Sequence, residues 1–137
     1  MNVLITGAAG FVGRHMIPHF LEKGWDVMAV DRNPRPGHLV SDRIRYIQAD
    51  TSRPGAWQKA VTKADAVVNL AGRNIFARWT KKYKNELYDS RIQTTRNLVA
   101  AFDGDRDQVL CSTSAVGYYG DGGDAVLEEN APPGDDF

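Results

Sequence analysis

Gly7, Gly10 and Gly13 recur at intervals of three residues within Thr6-Gly7-Ala8-Ala9-Gly10-Phe11-Val12-Gly13, between an apolar run and a segment of helical periodicity. Each suits a separate task. Gly7 permits a tight turn, Gly10 leaves room for backbone to approach a pyrophosphate, and Gly13 lets a helix pack closely on a strand. The unpaired N–H groups of the helix start then face the anion, aided by the helix dipole. Asp31 closes a second apolar run 18 residues past Gly13, where a carboxylate reaches the diol of an adenosine ribose. It also reads as a turn carboxylate or as a partner for Arg32. Asp50, two residues beyond a third run, is either an acceptor for the adenine amino group or the cap of the turn through Thr51 and Ser52. A loop for pyrophosphate and a carboxylate for ribose together describe a dinucleotide site, for NAD or NADP.

Asp31 and Arg32 pull in opposite directions on the choice between them. A carboxylate about 4 Å from a 2′-phosphate repels it by roughly 4 kcal/mol per charge pair at an effective dielectric near 20. The Arg32 guanidinium, by contrast, can swing across and hold that phosphate bidentately. The balance is a modest preference for NAD, with NADP as the alternative.

Other groups suit chemistry less well. His15 and His19 have the i,i+4 spacing of metal ligands, but Pro18 disturbs their helix and no third ligand accompanies them. Cys111 ends an apolar run, where a small soft side chain is ordinary packing. Arg73, Arg78, Lys81, Lys82 and Lys84 form a basic cluster that reads as a solvated helix start or as a contact for substrate phosphate. Tyr118 and Tyr119 read either as a pair near the nicotinamide or, more simply, as aromatic packing in a tight loop.

The elements that position these residues follow from periodicity. Apolar runs at 2–6, 26–30, 44–48, 66–70 and 109–112 predict buried strands. Helices are expected over 11–23, ending at Gly24, near 54–61, and over about 81–102 with Tyr83, Leu87, Leu98, Val99 and Phe102 inward. Pro18 predicts a kink or a shortened first half in the first of these. Residues 117–137 read as loop. Alternating strands and helices predict an α/β fold, a Rossmann-type doubly wound parallel sheet of strand order 3-2-1-4-5, short of a last helix and strand.

The 137 residues make one domain, here the dinucleotide-binding domain over 1–137 without a substrate domain. Composition, with 42% hydrophobic and 25% charged residues, is that of a globular protein. No apolar run approaches the roughly 18 residues of a membrane span, and Val3-Leu4-Ile5, which follows only Met1 and Asn2 and lacks a basic flank, is not expected to act as a signal peptide. A single cysteine agrees with a reducing compartment, so the cytoplasm is expected. Residues 1–102 hold 16 Lys/Arg against 8 Asp/Glu, and residues 103–137 hold 1 against 9. No basic stripe with interleaved aromatics or metal finger accompanies that basic body, which argues against nucleic acid.

With these residues in place, the chain resembles the extended short-chain dehydrogenases/reductases, the superfamily of NAD-dependent epimerases and dehydratases. The resemblance runs through the loop at Thr6 to Gly13, Ala49-Asp50-Thr51, Asn69-Leu70-Ala71-Gly72 and Ser112-Thr113-Ser114-Ala115. Arg78-Trp79-Thr80, Ser90-Arg91-Ile92, Gly117-Tyr118-Tyr119-Gly120 and Pro132-Pro133-Gly134-Asp135-Asp136-Phe137 narrow it to an epimerase-like branch. It implies that Gly7, Gly10, Phe11, Val12 and Gly13 hold the pyrophosphate and Asp31 the adenosine ribose. Asp50 and Thr51 would lie by the adenine, and Leu70, Ala71 and Gly72 along the rest of the dinucleotide. Ser114 matches the hydroxyl that polarises substrate oxygen in active relatives. Their Tyr and the Lys four residues later would fall just past Phe137, so the resemblance covers about the first half of a full-length member.

The function expected is that of the cofactor domain of an oxidoreductase acting on a sugar nucleotide or similar alcohol, with a homodimer formed through the long helix. The alternative is a nucleotide-binding module or redox-state sensor without catalysis. The 137-residue chain by itself is expected to turn over no alcohol or sugar nucleotide, because a positioned acid/base contributes about 10²–10⁴-fold and Ser114 alone supplies none. Steady reduction of NAD by the purified chain with such substrates would contradict this.

Overall fold

The computed structural model describes residues 1–135; Asp136 and Phe137, which end the last motif above, lie outside the described residues. In chain order the elements are β1 (Asn2–Thr6), α1 (Phe11–Glu22), β2 (Asp26–Asp31), β3 (Ile44–Gln48), α2 (Gln58–Val61), β4 (Ala66–Asn69), α3 (Lys81–Val99) and β5 (Val109–Ser112). A single 3₁₀ turn, Val116–Tyr119, follows β5. The five strands form one parallel sheet in the order β3-β2-β1-β4-β5, as the alternation of elements predicts.

β1 lies at the centre and is buried on both faces, which is why its sequence is apolar without alternation. Val3 and Ile5 face one side, where they pack with Val27, Ala29, Val68 and Ile17 of α1. Leu4 faces the other with Met28, Val30, Val67, Val61 of α2 and Leu98 of α3. The two cores are thus separated only by the sheet.

Several boundaries differ from the periodicity. α1 runs unbroken through Pro18 from Phe11 to Glu22, so its first half is not shortened. The second helix is a single turn at 58–61, because Arg53 to Trp57 are spent on turns closed by Asp50, Gly55 and Ala56 carbonyls. α3 ends at Val99, and Val99 itself is 55% exposed rather than inward, since Leu98 occupies the core-facing position beside it. Thr94 takes a buried place on that face instead, its hydroxyl 3.1 Å from that of Thr51. Cys111 is exposed, which corrects its reading as core packing: β5 is an edge strand, with β4 as its one neighbour among the described residues.

Leu98 therefore carries α3 against the sheet. Leu98→Ala is expected to cost about 2–5 kcal/mol of unfolding free energy, while Val99→Ala stays within about 0.5 kcal/mol. Urea denaturation of the two variants checks the contrast.

Candidate functional site

The carboxyl ends of β1, β2 and β4 open into one cleft of about 440 Å³. It sits where the chain order reverses direction across the sheet, with β2 on one side of β1 and β4 on the other. In open α/β sheets that position is the binding crevice. The cleft is lined by Gly7, Ala9 and Gly10 from the glycine loop, by Asp31, Arg32 and Asn33 after β2, and by Ala49 to Ser52 after β3. Leu70 to Arg73 after β4, with Glu86, Asp89, Ser90 and Thr94 of α3, complete it.

The glycine loop is held by backbone. Gly7 has φ +65°, a left-handed conformation, and a Cβ there would stand 2.8 Å from the Leu70 carbonyl oxygen. Gly10 N–H donates to the Gly7 carbonyl at 2.9 Å, and Ala8 N–H to that of Val30 at 3.3 Å. No side chain caps α1, so its first-turn N–H groups are left for a ligand or solvent. Gly13 lines no part of the cleft; a Cβ on it would lie 2.7 Å from the carbonyl oxygens of Gly7 and Ala8, so its role is close packing of α1 on the loop. Phe11 and Val12 are also outside the lining, 73% and 51% exposed, with the Phe11 ring against His15 and Arg14.

Asp31 is 7% exposed and does not pair with Arg32. One carboxylate oxygen accepts from Ala9 N–H at 3.0 Å, and the other from the backbone N–H and side-chain amide of Asn33 at 2.9 and 3.0 Å. A carboxylate offers about four acceptor directions, so about one remains for a ribose hydroxyl. The loop after β2 is pinned further by Tyr46, whose hydroxyl donates to the Asn33 carbonyl at 2.7 Å. Burial, and secondarily the Asp31 carboxylate, hold the Tyr46 phenol above its ordinary pKa, which keeps that donor protonated. The Arg32 guanidinium lines the cleft beside this loop and has no hydrogen bond or ion pair among the described residues. Asp50 closes the turn read from it, one oxygen accepting from Ser52 N–H and Oγ at 3.1 and 2.6 Å, and the residue also lines the cleft.

The wall formed by Leu70 to Arg73 is bound to both neighbours. Thr6 Oγ1 donates to Asn69 Oδ1 at 2.7 Å and accepts from Ala71 N–H at 3.2 Å. On the outer side, Arg73 N–H donates to Ser90 Oγ at 3.0 Å, and the Arg91 guanidinium packs over Gly72. The contribution of α3 was not read from the sequence. Its signal is the polar series Glu86, Ser90, Thr94 at intervals of four, a stripe along one face of the helix that interrupts the apolar one.

Ser114 lies beyond β5, exposed and outside the cleft lining. Tyr118 and Tyr119 pack edge to face with ring centroids 5.2 Å apart, and the Tyr118 carbonyl accepts from Gly134 N–H. His15 Nδ1 is 2.7 Å from the Phe11 carbonyl and His19 is paired with Glu22, and among the described residues no cluster suited to a metal ion occurs. No described helix is long and apolar enough to cross a membrane.

The model of the NAD dependent epimerase/dehydratase family matches residues 3–136. A chloroplastic epimerase family protein, the SDR39U1 homolog of Arabidopsis thaliana, is 32% identical over 141 residues, covering 100% of this chain and 41% of the relative. Epimerase family protein YfhF of Bacillus subtilis (strain 168) is 31% identical over 138 residues, 99% of this chain and 45% of its own length. Among solved structures, MoeE5 in complex with UDP-glucuronic acid and NAD matches with a TM-score of 0.78 at 29% identity, over 97% of this chain and 42% of that one. Human epimerase family protein SDR39U1 (isoform 2) with NADPH matches with a TM-score of 0.72 at 28% identity, over 98% and 43%. The chain spans less than half the length of these relatives.

The two glycines of the loop that lack a positive φ should separate by experiment. At Gly13 an added Cβ meets backbone on two sides, so Gly13→Ala is expected to cost about 1–3 kcal/mol of stability. Gly10→Ala meets the Gly7 carbonyl alone, at 3.0 Å, and should cost less. Denaturant midpoints of the two variants decide it.

Proposed function

The chain belongs to the NAD dependent epimerase/dehydratase family, and from that premise we propose that it is the NAD(P)-binding part of an oxidoreductase acting on a sugar nucleotide or similar alcohol. One observation carries the reading. A single cleft at the carboxyl ends of the strands gathers Gly7, Gly10, Asp31, Arg32, Asp50, Thr51, Leu70, Ala71 and Gly72, nine positions named from the sequence as cofactor contacts. A dinucleotide laid along it places pyrophosphate at the start of α1, adenosine ribose at Asp31 and adenine beside Asp50 and Thr51. The remaining half then follows the Leu70–Gly72 wall.

When bound, the nicotinamide supplies hydride transfer, and this chain's residues bind and orient it. The α1 N-terminus and glycine loop hold the pyrophosphate with backbone dipoles that need no rearrangement. Asp31, with its remaining acceptor direction, fixes the ribose, and the Thr6–Asn69–Ala71 hydrogen bonds fix the wall. Ser114 is assigned to polarise the substrate oxygen, by the match of its motif. It stands exposed just beyond β5, outside the described cleft lining. The protein is placed in the cytoplasm, in keeping with one cysteine, and the exposed Tyr88 and Val99 on α3 suit a contact between two copies. The substrate class draws on MoeE5, whose complex holds UDP-glucuronic acid and NAD.

Calorimetric titration of NAD and NADP into the chain under one salt condition tests the reading. NAD is expected to bind tighter by about tenfold, or 1.4 kcal/mol, because the Asp31 carboxylate faces any 2′-phosphate while unpaired Arg32 offsets part of that repulsion. Arg32→Ala should widen the gap to roughly a hundredfold by weakening NADP alone. Binding of neither nucleotide would remove the proposal, and tighter NADP would assign the choice to Arg32.

A further inference from the structure

Arg73 directly follows the Leu70–Gly72 wall and lines the same cleft as the glycine loop. Its backbone is locked, with the N–H on Ser90 Oγ and the carbonyl accepting from Arg91 Nη2 at 3.3 Å. Its guanidinium is held more loosely. Glu86 Oε2 stands 2.9 Å from Nε, yet the buried Nε–H has no hydrogen-bond acceptor, so the carboxylate sits off the N–H axis. The ion pair is about one-third exposed, at 36% for Arg73 and 35% for Glu86, and the guanidinium carbon lies 5.0 Å from the Tyr83 ring centroid.

The charges of the cleft give this arrangement a purpose. Its lining carries four carboxylates, Asp31, Asp50, Glu86 and Asp89, against two guanidiniums, Arg32 and Arg73, a formal excess of two negative charges. An anion held by the backbone dipoles of such a cleft gains further from a cation that offsets this excess. Arg32 adjoins Asp31, at the ribose end. Arg73 stands on the wall whose other end touches Gly7, and its partner is a misaligned, solvent-screened carboxylate that contributes little. A guanidinium gains more from two aligned, charge-assisted bonds to phosphate oxygens.

We propose that Arg73 is a ligand of the bound dinucleotide's pyrophosphate, kept ready by Glu86, which gives it up when the anion arrives. The proposal rests on the dinucleotide reading of the cleft. Glu86 is then an internal competitor that lowers cofactor affinity by acting on Arg73.

The test is calorimetric titration of NAD, NADP and ADP-ribose into the 137-residue chain, its Arg73→Gln and Glu86→Gln variants, and the double variant. Arg73→Gln should weaken NAD and ADP-ribose about tenfold, with a shallower salt dependence. Glu86→Gln should tighten both about threefold or more. In the double variant Glu86→Gln should add nothing to Arg73→Gln, because its effect passes through the guanidinium. Arg73→Lys should recover part of the affinity. Thermal unfolding establishes that each variant is folded, and the backbone bonds of residue 73 are kept in all of them. Equal tightening by Glu86→Gln with and without Arg73 would overturn the proposal, since Glu86 would then act on the ligand through space. So would unchanged NAD affinity in folded Arg73→Gln, or a loss confined to NADP, which would make the 2′-phosphate its ligand. If the wild-type chain binds none of the three nucleotides, the dinucleotide reading itself fails, a result distinct from binding that ignores Arg73.

Discussion

At the carboxyl end of β1 the backbone passes so close to the loop after β4 that no side chain fits between them. A Cβ on Gly7 would stand 2.8–3.0 Å from the carbonyl of Leu70 and the nitrogen of Ala71. That contact requires glycine twice over, for space and for the positive φ that turns the chain toward α1. The other features of the site depend on it. With the gap closed, Thr6 Oγ1 can bond both Asn69 and Ala71, and Asn69 in turn reaches Thr95 and Ser112, so that β1, β4, α3 and β5 share one polar network. Thr6 and Asn69 are buried at 0% and 4% exposure, where an unmade hydrogen bond is costly, so the network fixes the register at which the strands end.

The sheet was legible in the sequence because its central strands are buried on both faces. Runs such as Val3-Leu4-Ile5 and Val27-Met28-Ala29-Val30 have no other stable place in a chain of this size, and the glycine cluster marks where the first must turn. Helix ends were less legible. The expected end of α3 at Phe102 and the inward Val99 came from extending an apolar period through residues that tertiary packing places elsewhere. Pro18 shows the opposite case. A local rule predicts a kinked or shortened helix, yet Met16, Ile17, Phe20 and Leu21 all pack on the sheet side and α1 runs its full length from Phe11 to Glu22.

The site divides in a similar way. Residues on the β1 and β2 turns could be named because their chemistry is local: a glycine with no tolerated side chain, a carboxylate closing a strand. Glu86, Asp89 and Thr94 reach the cleft only because α3 folds back across it, a nonlocal fact that spacing along the chain does not contain. Asp31 was placed correctly in space but not in its bonds. Its tie to Ala9 N–H joins the glycine loop to the loop after β2, so the residue serves as a brace between two walls as well as an acceptor.

β5 has a different bearing on the molecule. Its sequence, Val109-Leu110-Cys111-Ser112, carries no lysine, proline or other charge, and Val109 is 64% exposed. An edge of that kind offers a row of ready main-chain donors and acceptors with nothing to repel a second strand. Among the described residues, β5 thus stands as an edge that a further strand can extend, a sheet-building property set by four residues of which Ser112 also bonds Asn69.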